Sequence, residues 1–533
     1  MKILLAVVPS FELRSLCFPS AGIACVKAYL RKYRPNDQIN TLDLRTQPDA
    51  LEIWRPEDFP QITIRKSFVS DIYELSIISS LINNYKKTMS LGKIFPNLDV
   101  IDKWAYDRSI LDVFIVKKLE ETHKFAVKHL IKFGGYDVVG FSLYTSNLYL
   151  SVLMAILIKI SYPNTKIIFG GPQVTQSDST RELLLKSELA DFLVLGEGEQ
   201  PFLDIINSLE AKEEPKKIIG VKTPAQINDM DTFYSELDLE SLPTPDYEGI
   251  IFQNYKHKIL SIYSNRGCPF RCHFCSEHSL FGKKFKRRSP ERVFQDMVYL
   301  NEKFDTNTFH FADSLVNSSD EWLYEFVEIL NKNKKNFLWE GYFRAEIPLE
   351  LIKKLKSAGL RRVILGVESF SQETLDKMNK KKLKSEILET ISGLVENEIH
   401  AGVNLLVGYP GETEEDFLTT TKVARDFQKK YQDRIKYIRF PARSYQMRPF
   451  SNIYNVYDKF GLSAENWMKL YDEENTPEDF KSIFEKTLYT FSVNGISINE
   501  TLHRLQMINQ IKYINIMMNE KVERFYSIYD SEE

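Results

Sequence analysis

The sequence predicts an α/β chain in three parts: a doubly wound parallel sheet, a partial (β/α)6 barrel and a helical C-terminal domain. Three observations carry this. Short apolar runs alternate with helical periods over residues 1–210, and the same rhythm resumes over 256–450. The runs are continuous rather than alternating, as in strands buried on both faces. Loops rich in Gly or Cys follow several of them, at the strand ends where sheets and barrels of this kind hold ligands.

At 533 residues the chain exceeds one ordinary core. Hydrophobic residues make up 43% and charged residues 27%, a globular composition. The formal net charge of −3 leaves no nucleic-acid footprint, and no apolar run approaches the ~20 residues of a membrane span. The apolar N-terminus reaches Pro9 too soon for a signal core and reads as a buried first strand. Three of the five cysteines fall in one loop, which argues against a disulfide framework and leaves Cys17 and Cys25 as buried or idle thiols. A cytoplasmic location is expected.

In chain order, strands are predicted at 2–8, 40–44, 137–143, 166–169 and 192–195, with helices at 21–32, 146–160 and 179–189. The stretch of about 90 residues between the second and third strands is longer than a crossover needs. It has helical period at 69–87 and 111–132, and reads as added helices. Residues 211–255 form a linker rich in turn formers, stiffened by prolines in Leu242-Pro-Thr-Pro-Asp246. Barrel strands follow at 259–263, 308–312, 337–344, 361–365, 402–407 and 436–440, with the first helix at 290–303. Ser369 and Gln372 have the spacing and residue types of a capping box. Residues 451–533 are helical in period, for example at 483–491 and 502–518, and dense in Tyr, Phe and Met. Such stripes usually pack a helix core.

The chemistry concentrates in the loop after the first barrel strand, Cys268-Pro-Phe-Arg-Cys272-His-Phe-Cys275. Thiols separated by three and then two residues converge when a loop curls around a group with several coordination sites. An iron–sulfur cluster is such a group. Three cysteines leave one iron of a [4Fe–4S] cube open. A zinc site completed by His273 or His278 is the alternative.

This loop, with Phe274 before its last cysteine, resembles the signature of the radical S-adenosylmethionine (SAM) enzymes, and the resemblance extends over nearly all of 256–450. It implies that Cys268, Cys272 and Cys275 hold a [4Fe–4S] cluster whose open iron is chelated by the amino and carboxylate groups of SAM. By position, it places Asp313 and Ser314 at the SAM amino group, and Arg344 and Glu346 at the carboxylate or ribose. Phe274 belongs to the same SAM site. Glu368 and Ser369 fall at the ribose, and Gly408 opens the turn that meets adenine and ribose. Each of these is also a plain strand-end or cap position.

In the N-terminal part, three strand-end loops stand out: Gly140-Phe-Ser142-Leu-Tyr-Thr145, Gly170-Gly171-Pro172-Gln173-Val-Thr175 and Gly196-Glu197-Gly198-Glu199. Singly each reads as a tight turn. Together they resemble the Rossmann-like cobalamin-binding domain that precedes many radical SAM domains, and the Leu-Pro-x-Pro-Asp linker resembles the linker of those families. The resemblance implies cobalamin contacts at Ser142, Thr145, Gly170, Gly171, Pro172, Gln173, Gly196, Glu197 and Gly198. The Asp-x-His-x-x-Gly motif that ligates cobalt from below is absent, since the first strand continues Val8-Pro-Ser-Phe-Glu-Leu-Arg14. Gln173 stands where many relatives have histidine. Any bound cobalamin is therefore expected to have no histidine beneath its cobalt.

The implied reaction is reductive cleavage of SAM, with an electron from an external flavodoxin- or ferredoxin-type donor, followed by hydrogen abstraction. Its expected outcome is methylation of an unactivated carbon in a peptide or small molecule. Ring contraction, cyclisation or rearrangement on the same architecture is the alternative. A non-catalytic, metal-stabilised binding protein is a further one.

Overall fold

The computed structural model describes residues 1–9, 18–47, 49–50, 121, 124–130, 135–144, 147–213, 218–255, 257–282, 284–445 and 450–454. Outside these lie the predicted helix at 69–87, most of that at 111–132, Thr145, Cys17 and all but 451–454 of the C-terminal part. The described chain forms two compact units, one of Met1–Leu237 with 245–255 and one of Asp238–Thr244 with 257–454.

The first unit comprises β1 (Lys2–Val7), α1 (Ala21–Tyr33), β2 (Gln38–Asp43), β3 (Val138–Ser142), α2 (Leu148–Ser161), β4 (Lys166–Gly170), α3 (Pro172–Thr175), α4 (Asp178–Lys186), β5 (Phe192–Val194), α5 (Glu199–Ala211) and β6 (Val221–Lys222). The sheet order is β2-β1-β3-β4-β5-β6. All neighbours are parallel except β5 and β6. The order reverses between β1 and β3, so the carboxyl ends of those strands flank the crevice where doubly wound sheets bind ligands. The five predicted strands all form: β1, β3, β4 and β5 are buried nearly throughout, the edge strand β2 is mostly half-buried, and Leu4, Ala6, Val139, Phe141, Ile167, Phe169 and Leu193 share one core with the apolar α2. Strand β6 falls inside the expected linker, and two residues are too short to leave a periodic signal. Other linker residues also pack on this unit. Asp246 pairs with Arg31 at 2.7 Å, and the Tyr255 hydroxyl donates to Asp43 at 2.5 Å.

The second unit runs β7 (Ile259–Ile262), β8 (Asn265–Arg266), β9 (Lys286–Arg287), α6 (Pro290–Phe304), β10 (Thr308–Phe311), α7 (Asp320–Asn333), β11 (Leu338–Phe343), α8 (Leu349–Ser357), β12 (Leu360–Glu368), α9 (Gln372–Lys377), α10 (Lys384–Glu396), β13 (His400–Val407), α11 (Glu414–Lys430), β14 (Ile438–Arg439) and β15 (Ala442–Ser444). Its sheet is parallel in the order β7-β10-β11-β12-β13-β14, with β15 also on β13. All six strands of the sequence reading are present, and the first five are each followed by at least one α-helix among the described residues. Rings of Phe309, Phe311, Phe326 and Trp339 pack edge to face or tilted between strands and helices.

Three details differ from the sequence reading. The fourth barrel strand does not stop at Leu365 but continues to Glu368 through an irregularity between Gly366 and Glu368. The sixth is split: β14 pairs with Ala401–Gly402 and β15 with Leu405–Val407. Pro441 stands between the two pieces with no N–H to give to the ladder. The cap of α9 is Ser371, whose hydroxyl accepts from Thr374 N, and not Ser369. Ser369 lies two residues too early, and its Oγ accepts from Ser371 N at 3.0 Å and pairs with Thr420 Oγ1 at 2.9 Å.

Candidate active site

The cysteine loop leaves the sheet through the short β8–β9 ladder, where Asn265 faces Arg287 and Arg266 faces Lys286. Asp313, just past β10, holds the start of that ladder. Its carboxylate accepts from Ser264 N at 2.9 Å, Asn265 N at 3.2 Å and Asn265 Nδ2 at 2.9 Å, and from the Ser264 hydroxyl. Burial pushes the Asp313 carboxyl up to about 7 against these donors. Its oxygens are thus turned to the chain entering the loop.

The far side of the loop is tied to the end of α9. His273 N donates to Met378 O at 3.0 Å, and His273 Nδ1 lies 3.0 Å from Lys377 O. Asn379 Nδ2 donates to Arg271 O at 2.8 Å. Phe274 packs against Met378, Tyr409, Tyr445 and Ile453. These contacts hold a nineteen-residue excursion (267–285) whose described residues have no regular structure beyond one 3-10 turn at Glu277–Ser279.

Cys272 is buried, and Cys268 and Cys275 are half-buried. Two donors address the sulfurs: Arg344 Nη1 lies 3.7 Å from Cys272 Sγ, and Glu277 N lies 3.4 Å from Cys275 Sγ. Burial nevertheless pushes the Cys275 thiol up to about 12 and the Cys268 thiol up as well, with the Glu277 N–H opposing the rise at Cys275. Arg344 also donates through Nε to Glu346 at 2.9 Å and through Nη2 to the Lys380 carbonyl, and stacks on Phe270. Lys382 pairs with Glu346 as well. Among the described residues no three His, Cys, Asp or Glu side chains, the three cysteines included, are gathered around one point, so the residue types and their spacing carry the cluster reading; His273 Nδ1 is engaged by the Lys377 carbonyl. The donor set of three thiols with sulfur-directed N–H groups fits a cluster better than a closed four-ligand zinc site.

At the end of β12, Glu368 adopts φ +72° and its buried carboxylate lies 3.4 Å from Lys380 Nζ. A non-glycine residue in this region stores strain of roughly 1–3 kcal/mol, and such strain concentrates at functional positions. Lys380 is itself buried and sits 5.6 Å from the Phe274 ring centroid. Glu368, Lys380, Phe274, Arg344 and Cys272 therefore form one connected set. Ser369 and Gly408 are committed elsewhere, Ser369 to Thr420 and the Gly408 amide to Glu412 Oε2 at 2.8 Å. Ser314 meets a residue the sequence reading passed over, donating its hydroxyl to the carboxylate of Glu277. Lys380 was also missed. Its signal would have been a lysine in the stretch after a strand-end carboxylate, which is weak, whereas Glu277 stands only two residues past Cys275.

In the first unit the strand-end loops do meet. Leu143 N donates to Gly170 O at 2.8 Å, Gln173 N to Leu143 O at 3.0 Å and Gly196 N to Thr175 Oγ1 at 3.1 Å. This gathers Ser142, Gly170, Gly171, Pro172, Gln173 and Gly196 at the carboxyl edge of β3–β5. Gly171 (φ +97°) and Gly196 (φ +87°) are required by the chain itself: a Cβ would come within 2.9 Å of Leu143 N and O, or 2.3 Å of Tyr234 O. Gln173 is buried and donates to Thr180 Oγ1 at 2.9 Å. Glu197 is also buried, accepting from Leu237 N at 3.3 Å, and Gly198 caps α5. No histidine occurs in the three loops.

Comparison with known proteins agrees with this geometry. Residues 262–424 match the model of the radical SAM superfamily. An uncharacterized methyltransferase of Pyrococcus horikoshii is 26% identical over 322 residues, covering 59% of this chain and 70% of that protein. The anaerobic magnesium-protoporphyrin IX monomethyl ester cyclase of Rubrivivax gelatinosus is 27% identical over 304 residues, covering 55% of this chain and 54% of the cyclase. This chain thus spans about half the length of that cyclase. Among solved structures, the radical SAM methyltransferase TsrM of Kitasatospora setae, with cobalamin and [4Fe–4S] cluster bound, aligns with a TM-score of 0.57. The alignment covers 95% of this chain and 90% of that one at 13% identity, a likeness of fold. Residues 262–424, with the cysteine loop at the head of a parallel partial barrel, are the part of the chain that matches the radical SAM superfamily.

Proposed function

We propose that this chain is a cobalamin-dependent radical SAM enzyme that methylates an unactivated carbon of a peptide or small molecule. The observation that carries the reading is the cysteine loop, with three thiols on one anchored excursion and N–H donors aimed at two of them. Cys268, Cys272 and Cys275 would hold a [4Fe–4S] cluster, with SAM on its open iron. When bound, these groups supply one-electron cleavage of a sulfonium and hydrogen abstraction, and cobalamin supplies a methyl donor.

The chain's own residues position and shield. Asp313 pins the entry to the loop through Ser264 and Asn265, and Arg344 clamps Cys272 to the end of β11. Phe274, Glu368 and Lys380 offer one face and two charges to the nucleoside part of SAM. Cobalamin would lie at the gathered loops of β3–β5 with no histidine below cobalt; the cobalamin bound by TsrM, which is similar in fold, and the switch point of the sheet support this. An external donor of flavodoxin or ferredoxin type would supply the electron. The likeness to the Rubrivivax gelatinosus cyclase favours one second reading, a ring-forming or rearranging enzyme in which cobalamin donates no methyl.

Anaerobic reconstitution with iron, sulfide and hydroxocobalamin tests the reading. About four irons and one cobalt per chain are expected. With SAM, reductant and candidate substrates, S-adenosylhomocysteine formed alongside 5′-deoxyadenosine supports methyl transfer, and 5′-deoxyadenosine alone supports the second reading. Zinc in place of iron overturns both.

A further inference from the structure

One face of the cysteine loop is turned to solvent, and cations gather on it. Arg271 stands between Cys268 and Cys272 and is exposed, as is Pro269. Its backbone carbonyl accepts from Asn379 Nδ2 at 2.8 Å, and its own Nη1 donates to the Cys268 carbonyl at 2.9 Å. Two residues on, His273 bonds to the carbonyls of Lys377 and Met378. The segment Lys377-Met-Asn-Lys-Lys381 at the end of α9 is thus laid along the outside of the loop, and Lys377 and Lys381 are exposed.

This segment is held there under strain. Asn379 (φ +55°) and Lys381 (φ +52°) are both left-handed, a conformation residues with side chains seldom adopt and keep only where neighbouring contacts impose it. Lys377 shares its charge with Glu373 and Asp416, each at 3.8 Å, so Lys381 is the cleaner probe of the face. On its other side the loop meets the opposite charge. Phe270 borders a cavity lined by Asp320, Glu346, Glu386, Glu389 and Glu396, with Lys382 as its cation. The chain as a whole carries a formal charge of −3. An acidic protein is therefore repelled by the chain overall and by that cavity, and attracted at Arg271, Lys377 and Lys381. Electron tunnelling weakens steeply with distance, so an electron enters best where solvent comes closest to the cysteines.

We propose that the face formed by Arg271, Lys377 and Lys381 is the docking surface for an acidic one-electron carrier protein. The carrier is oxidised by one electron as the group held by the three cysteines is reduced by one, and no atom is transferred. This rests on the radical SAM reading above and deepens it, by giving the external donor a place on the chain.

The test uses the reconstituted full-length chain, with iron and sulfide measured on each sample, and a purified acidic flavodoxin as probe. Affinity for oxidised flavodoxin is measured by calorimetry, where no electron moves. Oxidation of flavodoxin hydroquinone by the loaded chain is followed by stopped flow. In the wild type, affinity and rate are both expected to fall steeply as salt rises. Lys381→Glu is expected to lower both about tenfold at low salt, while reduction by photoreduced deazaflavin, a small uncharged reductant, keeps the wild-type rate. Lys284→Glu, an exposed position in the other basic run, is expected to change neither. A loaded Lys381→Glu with wild-type affinity overturns the proposal. So does an equal loss in Lys284→Glu, which means the carrier reads overall charge, or a loss shared by deazaflavin, which means the cysteine site itself has changed. Where Lys381→Glu fails to load iron, Lys381→Gln decides on the same terms. A wild type that loads iron and accepts electrons from deazaflavin, but binds no flavodoxin, overturns this proposal alone. A wild type that loads no iron overturns the radical SAM reading and this proposal with it.

Discussion

Arg344 Nη1 lies 3.7 Å from Cys272 Sγ, and the same guanidinium is 3.8 Å from the Phe270 ring centroid. One side chain from the end of β11 therefore braces two residues of the cysteine loop. Lysine cannot reproduce the fork, since Nε, Nη1 and Nη2 each have a different partner. Arg344→Lys is expected to cost about 1–3 kcal/mol of stability, read by urea unfolding. In the loaded protein the cluster potential should shift to more negative values, because a cationic donor to a ligand sulfur favours the added electron. An EPR-monitored redox titration with no shift would leave Arg344 a packing residue.

Cys272→Ala should reduce bound iron to background while leaving cobalt binding intact, since the cysteine and the β3–β5 loops belong to separate units. Paired iron and cobalt assays check this. Loss of both metals would contradict the independence of the two sites.

Gly171→Ala is the converse. A Cβ at φ +97° would meet the Leu143 backbone at 2.9 Å, and a strained substitution of this kind costs on the order of 1 kcal/mol or more. Cobalt uptake should fall and iron content should stay at the wild-type level. Wild-type cobalt uptake in this variant would remove the loop of β4 from the cobalamin site.

Asp313 has a folded-state carboxyl raised by burial to about 7, from an ordinary value of 3.8. Between those values the folded chain binds more protons than the unfolded one, so this group's contribution to stability falls as pH rises from about 4 to about 7. Above that range the loss is complete. Asp313→Asn removes the titration, so the stability difference between wild type and variant should change with pH across that window. A difference that is flat with pH would show that the carboxyl titrates near its ordinary value in the folded chain.

Ser371→Ala removes the cap of α9 and the hydroxyl that donates to Asp416. It should destabilise the second unit by about 1–2 kcal/mol, measured by denaturant unfolding. The loop anchors at Met378 and Asn379 follow directly from α9, so iron loading is expected to become less complete at the same time. Unchanged stability would place the cap function elsewhere.

Much of this protein was legible in its residues alone. Strands buried on both faces must be continuously apolar, so β1, β3, β4, β5 and the barrel strands announced themselves within a few residues, whereas the edge strand β2 carries polar residues along its length. Three cysteines at fixed short spacing can serve few purposes, and Gly-rich strand ends marked the loops that the structure gathers. Side-chain direction was not legible. Position alone could not say that Asp313 turns to Ser264 and Asn265, that Ser369 turns to Thr420, or that Ser314 finds Glu277 thirty-seven positions away. Lys380 reaches Glu368 and the Phe274 ring only because α9 folds back over the end of β12. Such pairings are settled by burial and by which donors the packed chain brings within hydrogen-bond reach. The backbone pattern is written in local hydrophobicity, whereas the fate of each polar group depends on its neighbours in space.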